Sequence, residues 1–161
     1  MSTGEVVARY ERMPLEMLRR PAFEAGSEIR VQKSVNADRS RLFQALTVAE
    51  YIDAWFVAPS AVPGSASVTK GPDCFIVSYK LRDGREDRFV GSYKVLRRGK
   101  VQFAWKRDSF EDTTWSLVKI RLLGDFGRTT VQLTHVGLDS AERTRYRAQW
   151  EASLEKLARL F

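Results

Sequence analysis

The C-terminal segment of the chain carries the feature that most constrains its fold, an apolar stripe with helical spacing. The stripe recurs every three or four residues and consists of Tyr146, Trp150, Leu154, Leu157 and Phe161. This period predicts one amphipathic helix of about 22 residues, or about 33 Å. Asp139 and Glu142 have the spacing of a capping box and mark its start. A helix with one long apolar stripe needs another apolar surface to cover it.

The middle of the chain supplies that surface, because residues 66–136 alternate with the period of two that is typical of β-strands. The turn signals Asp83-Gly84 and Arg98-Gly99 separate the alternating rows, and they predict successive hairpins in an antiparallel meander. Gly91 interrupts one row and suggests a β-bulge. We therefore expect an α+β fold in which a curved antiparallel β-sheet wraps around the long C-terminal α-helix.

An earlier strand precedes the meander. Ile29 and Val35 delimit an alternating segment, and Asp38 then has the position of a helix N-cap. Helical spacing continues to Phe56, with an interruption near Thr47. This pattern predicts two short helices after the first strand.

The chain is expected to comprise a single domain over residues 26–161 and an N-terminal extension over residues 1–25. Part of the extension has helical spacing, broken at Pro14. Packing of this extension on the body or on a partner chain is one interpretation, and a frayed tail is the alternative.

Charge and composition narrow the classes of partner and compartment. The net charge is +7, but the basic residues are scattered, which favours a solvated basic surface over specific nucleic-acid binding. No apolar stretch approaches the length needed for membrane insertion. The single cysteine, Cys74, excludes an internal disulfide and suits the cytoplasm.

Four segments carry a resemblance to a known superfamily. They are ADRSRLFQALT at 37–47, IDAWF at 52–56, VQFAW at 101–105 and TTVQLTHVGL at 129–138. Together with the terminal helix they resemble the START-like (SRPBCC) superfamily, in the group of the activator of Hsp90 ATPase homologue and the polyketide cyclases. The resemblance covers about residues 28–161. It implies a helix-grip fold with a cavity between the sheet and the C-terminal helix.

The candidate ligand-binding residues are those that the inward rows and the helix stripe direct toward this cavity. They are Trp55, Phe75, Tyr79, Phe89, Tyr93, Phe103, Trp105, His135, Tyr146 and Trp150. A packed aromatic core is the simpler interpretation of the same pattern. The cavity implied by the resemblance favours a site for a hydrophobic or aromatic small molecule.

His135 is the candidate catalytic residue, because it is the only histidine and shares a face with Leu133. An imidazole with an ordinary pKa near 6.5 can act as a general acid or base, whereas a structural histidine bonded to its neighbours is the alternative. One histidine and one cysteine are too few for a typical zinc site, so no metal is expected. The sequence contains no glycine-rich nucleotide-binding motif, and no cofactor is expected.

Three functions follow from these features. The first is binding of a hydrophobic small molecule, and the second is a cyclase-like or hydrolase-like enzyme that uses the same pocket with His135. The third is an Hsp90-activator-like module that contacts a protein partner, or a second copy in a homodimer. That module would use the N-terminal extension or an exposed apolar patch that includes Trp115 and Leu117.

Overall fold

The computed structural model describes residues 28–57, 61–62, 64–107, 115–124 and 126–161. The predicted N-terminal extension lies outside these residues. The strands are β1 Ile29–Val35, β2 Ser67–Lys70, β3 Cys74–Lys80, β4 Glu86–Arg97, β5 Lys100–Arg107, β6 Ser116–Leu123 and β7 Thr129–Val136, and the helices are α1 Arg39–Thr47, α2 Ala49–Trp55 and α3 Ser140–Ala158.

The described residues form one seven-stranded sheet with the order β1-β7-β6-β5-β4-β3-β2. Every neighbouring pair is antiparallel, and β1 joins the meander beside the last strand β7. The inner face of this sheet packs on the three helices and forms the core, with Leu154 and Leu157 of α3 fully buried in it. The predicted α+β architecture, including two short helices after the first strand, is confirmed.

The starts of α1 and α3 follow from local hydrogen bonds that the sequence predicted, whereas α2 begins after Val48 without a side-chain cap. Asp38 accepts a hydrogen bond from the Arg41 amide at 2.8 Å and caps α1. Asp139 accepts from the Glu142 amide at 2.8 Å, and Glu142 reaches back to the Asp139 amide, which completes the capping box of α3. These bonds satisfy amide groups that a helix N-terminus otherwise leaves without partners.

The β-bulge of β4 does not lie where the sequence suggested. Gly91 pairs regularly with Phe75 and Trp105, and the register shifts between Tyr93 and Val95 instead. Gly91 has a different role: a Cβ there would lie 2.3 Å from the Phe75 ring. Glycine is therefore needed because an aromatic ring occupies the space of its missing side chain.

The prediction that Trp115 belongs to an exposed patch is wrong. Trp115 precedes β6, and only 3% of it is exposed, while Leu117 is half-buried. The ammonium of Lys106 lies 5.9 Å from the Trp115 ring centroid and contributes to its shielding.

No helix among the described residues is long and apolar enough to span a bilayer.

Candidate functional site

The structure brings the ten candidate residues together between the sheet and the helices. Nine of them are buried, and Tyr93 is half-buried. β3 contributes Phe75 and Tyr79, β4 contributes Phe89 and Tyr93, β5 contributes Phe103 and Trp105, β7 contributes His135, α3 contributes Tyr146 and Trp150, and α2 contributes Trp55. Their assignment to a ligand stays a prediction, but their shared location is a property of the fold.

The rings form a continuous aromatic network across the inner face of β3, β4 and β5. Phe89 stacks on Trp105 with centroids 4.8 Å apart, and Tyr79 stacks on Phe89 at 5.5 Å. Trp105 then contacts Trp150 of α3 at 5.5 Å. This network joins the sheet directly to the C-terminal helix. Its ring pairs are offset or tilted, which are the arrangements that the quadrupoles of aromatic rings favour.

Phe56 is a central residue of this network that the sequence analysis missed. It follows α2 and is the C-cap residue of that helix. Its ring contacts Phe89 and Trp105 on the sheet, with centroids 5.8 Å from each, and Trp150 on α3 at 6.1 Å. Phe56 therefore inserts between the two layers from a segment that is neither helix nor strand. The sequence feature that could have identified Phe56 as a site residue was its position in the IDAWF motif at 52–56.

His135 is completely buried, and both of its ring nitrogens have partners. The Trp150 indole N–H donates to Nδ1 at 3.0 Å, and Nε2 lies 2.7 Å from the Ser116 hydroxyl. Because Trp150 can only donate, Nδ1 accepts, and the neutral ring carries its proton on Nε2. The Ser116 hydroxyl accepts from Nε2–H and donates its own hydrogen bond to the Trp105 carbonyl at 3.2 Å. These groups form a closed, satisfied hydrogen-bond chain.

Burial in this apolar setting lowers the pKa of His135 to about 3. The charged imidazolium would lose its hydration without gaining a carboxylate partner, so the neutral form is strongly preferred. In this arrangement the ring holds Ser116 and Trp150 in place and does not exchange a proton near neutral pH.

A second buried polar group, which the sequence analysis also missed, contains a carboxylate. Asp87 of β4 accepts from the Tyr79 hydroxyl at 3.0 Å and from Arg107 Nε at 2.7 Å. Its other oxygen accepts from the Arg88 amide at 2.8 Å. The charge of Asp87 is thus compensated inside the protein, as a buried carboxylate requires. Asp87 stands two residues before Phe89 in the same alternating row, and that register was the available signal.

Burial, together with the charges of this group, shifts the pKa values of three side chains around Asp87. Burial, followed by the charge of Asp87, raises the pKa of Tyr79. Burial alone would lower the pKa of Arg107, but its hydrogen bond to Asp87 raises it instead. Burial also raises the pKa of Tyr146 to about 12. All of these side chains keep their usual protonation states at neutral pH.

Three buried polar atoms of the described residues lack a hydrogen-bond partner. They are the Tyr93 hydroxyl, the Trp105 indole N–H and the Gln149 side-chain amide nitrogen. The Trp105 N–H lies near enough to the Tyr146 hydroxyl to lower the pKa of Tyr146, against the larger effect of burial, but the geometry is not that of a regular hydrogen bond. Gln149 belongs to the buried face of α3, one turn before Ser153, whose hydroxyl accepts from the Val57 amide at 3.1 Å. Unsatisfied buried donors are rare and call for an explanation.

No group of three or more His, Cys, Asp or Glu side chains in the described part of the chain is placed to hold a metal ion.

Comparison with known structures identifies the fold. Protein CV1439 from Chromobacterium violaceum is 17% identical, with a TM-score of 0.71 over 83% of this chain and 96% of that one. DynU16, a putative protein in the dynemicin biosynthetic locus, is 24% identical, with a TM-score of 0.60 over 83% of this chain and 46% of that one. The Aha1 dimer from Colwellia psychrerythraea is 16% identical, with a TM-score of 0.61 over 81% of this chain and 92% of that one.

No curated protein sequence is significantly similar to the chain. A family model does match, and it is described as "Activator of Hsp90 ATPase homolog 1-like protein". The match covers residues 36–161, which include every described element except β1. This confirms the predicted family, and the chain therefore belongs to the activator of Hsp90 ATPase homolog 1-like proteins.

Proposed function

We propose that this protein binds a hydrophobic or aromatic small molecule that carries hydrogen-bond acceptors, between the sheet and α3. The observation that carries the proposal is the Trp105 indole N–H, a buried donor without a partner inside an aromatic wall. The fold supports it too, since the same fold occurs in DynU16, whose description places it in a biosynthetic locus. Small-molecule sites typically combine apolar walls with a few polar groups in this way.

The energetic reason lies in the cost of an unsatisfied donor. A buried N–H without a partner costs about 1–3 kcal/mol relative to a satisfied one. A ligand oxygen placed against Trp105 Nε1 would recover part of this free energy, and the Phe89 and Trp150 rings would cover the apolar part of the ligand. Gln149 and Tyr93 supply further groups that can bond to the ligand.

Phe56 occupies the space where a ligand would contact both layers. Its ring touches Trp105 and Trp150, the two residues that the proposed ligand must contact. Because Phe56 follows the end of α2 and belongs to no strand, its displacement breaks no sheet hydrogen bonds. We infer that the ligand enters by displacing the Phe56 side chain.

The titration behaviour of the interior favours binding over acid–base catalysis. A general acid or base works best with a pKa near the working pH. The pKa of His135 falls to about 3 and that of Tyr146 rises to about 12, in each case because of burial. The cyclase-like or hydrolase-like alternative requires a group that titrates between these limits.

The test is the binding of anilinonaphthalene sulfonate, an aromatic probe with acceptor oxygens, followed by probe emission and by calorimetry. Trp105→Phe removes the N–H while keeping an aromatic ring, and it should weaken binding about 2- to 10-fold, the value of one hydrogen bond. Trp115→Phe on the other face of the sheet is the matched control and should leave the affinity unchanged.

Two results would overturn the proposal. One is equal probe affinity for the Trp105→Phe and Trp115→Phe variants, with near-UV circular dichroism showing both folded. The other is a parent protein that binds neither this probe nor uncharged aromatic ketones of similar size. His135→Gln separates the enzyme alternative, because an enzyme that uses His135 should lose turnover entirely, whereas a binder should be weakened only in part, through the loss of the His135 contact to Trp150.

A further inference from the structure

The outer face of the sheet, opposite the helices, is buried over part of its width. Cys74 and Val90 are 0% exposed and Ile76 is 1% exposed, although all three point away from the helical layer. On the same face, the outward residues of β1 are exposed, including Arg30 and Gln32. The burial is thus confined to one region of this face.

The buried region is continuous across three strands. The register places Cys74 beside Ser92, Ser92 beside Ala104, and Ile76 beside Val90. We name the following residues the outer patch: Cys74, Ile76, Val90, Ser92, Ala104 and Trp115. Its centre consists of small side chains, which let another backbone approach the sheet closely.

The described helices do not cover the outer patch, because the buried residues of α1, α2 and α3 belong to the core on the inner face. An outward strand residue without a covering layer normally remains partly exposed, as in antiparallel sheets with one solvated face. Lys106 shields part of Trp115, but the near-complete burial of Cys74, Ile76 and Val90 indicates a cover from another part of the chain.

Only one remaining segment of the sequence has the length and composition to provide it. Residues 1–27 contain the apolar side chains Val6, Val7, Tyr10, Met13, Leu15, Met17, Leu18 and Phe23. Residues 108–114 contain a single large apolar residue, Phe110, among acidic and hydroxyl side chains. The shorter segment is too polar to account for burial that extends to β3.

The geometry allows residues 1–27 to reach the outer patch. β1 begins at Ile29 and lies four strands from β4, or about 19 Å at about 4.8 Å per strand. A chain of this length spans at most about 90 Å, so it crosses the sheet with many residues to spare. Its four acidic and four basic residues (Glu5, Glu11, Glu16 and Glu24; Arg9, Arg12, Arg19 and Arg20) balance, so apolar burial must drive docking.

We propose that residues 1–27 of the same chain bind to the outer patch and form a third layer on the sheet. The molecule then has the helical layer on the inner face and the N-terminal segment on the outer face of β3, β4 and β5. This assigns a structural role to the N-terminal extension, which lies before residues 36–161, the region matched by the family model.

Cys74 offers a direct readout, because it is the only cysteine and lies within the outer patch. Its rate of reaction with dithiobis(nitrobenzoate) should be slow in the full-length parent. In the full-length Leu15→Asp/Leu18→Asp variant the rate should rise about tenfold or more, since a loss of 1.4 kcal/mol in docking already changes the equilibrium tenfold. The Ser2→Asp/Thr3→Asp variant adds the same charge without removing apolar side chains and should react like the parent.

Far-UV circular dichroism must show that each variant is folded during labelling. If the double aspartate variant does not fold, the full-length Leu18→Ala variant replaces it and should give a smaller increase of the same sign. An unchanged labelling rate in a folded Leu15→Asp/Leu18→Asp variant would overturn the proposal. So would a parent whose Cys74 becomes reactive on dilution, because a second copy would then be the cover.

Discussion

Lowering the pH from 7 to 5 should destabilise this protein through His135. The folded protein holds the ring neutral with a pKa of about 3, whereas an unfolded histidine has a pKa near 6.5. Between these values the unfolded state binds more protons than the folded state, so the free energy of unfolding rises with pH. The stabilisation is therefore complete above pH 6.5 and is lost as the pH falls toward 3.

The magnitude follows from the separation of the two pKa values. Each pH unit within this window changes the free energy of unfolding by about 1.4 kcal/mol. At pH 5 the loss from His135 alone is about 2 kcal/mol, a large part of the 5–15 kcal/mol typical of a domain. Lowered carboxyl pKa values at Asp139 and Glu155 add an acid-dependent loss at lower pH.

The contribution of His135 to the free energy of unfolding can be measured by urea unfolding of the parent and of His135→Gln at several pH values between 8 and 5. The glutamine amide can keep the bond to Ser116 but gives Trp150 no ring nitrogen to donate to, so the variant should be about 1–3 kcal/mol less stable at pH 7. The difference between the two proteins should then shrink by about 2 kcal/mol by pH 5, since the carboxyl contributions are common to both. Parallel stability curves would refute the burial of a neutral His135.

Three further substitutions test the packing and capping. Leu154→Ala on α3 should lower the free energy of unfolding in urea by about 2–5 kcal/mol, because the side chain is fully buried. A stability equal to that of the parent would contradict the packing of α3 on the sheet. Gly91→Ala should destabilise the protein by displacing the Phe75 ring, and an unchanged thermal midpoint would contradict that contact. Asp139→Ala should cost about 0.5–2 kcal/mol through loss of the α3 cap, and Asp139→Asn should recover most of it.

The sequence predicted the fold well because the strongest signals were periodic. The stripe of Trp150, Leu154 and Leu157 requires a helix with one buried face, and the alternation of residues 66–136 requires strands. The caps at Asp38 and Asp139 were also predictable, since a capping bond connects residues only three apart.

The site was predictable as a set of inward residues but not as a set of contacts. Period-two alternation places Asp87 on the inner face, but it does not show that Arg107, twenty residues later, lies beside it. The partners of His135 come from β6 and α3, and only the tertiary fold brings them together. Phe56 was missed because the helical spacing includes it, whereas the helix ends at Trp55 and the extended backbone of Phe56 gives its side chain a direction that the period does not predict.

Burial on the outer face could not be inferred for a related reason. Alternation divides a strand into two faces but does not reveal whether a second layer covers the polar one. Cys74 and Ile76 belong to the outward row of β3, where an antiparallel sheet commonly meets solvent, yet both are buried.

The hydrogen-bond chain of His135 and the packing of the neighbouring rings explain how the fold holds the Trp105 indole in place. The Trp105 carbonyl accepts from Ser116, which is itself fixed by His135, so the backbone of Trp105 is held by the closed hydrogen-bond chain. Its ring is held on one side by stacking on Phe89 and on the other by Trp150, whose N–H is already used by His135. The indole cannot easily rotate to find another acceptor. A donor fixed in this way is preorganised for an acceptor that arrives from outside, and a ligand would bond to it without first having to order the side chain.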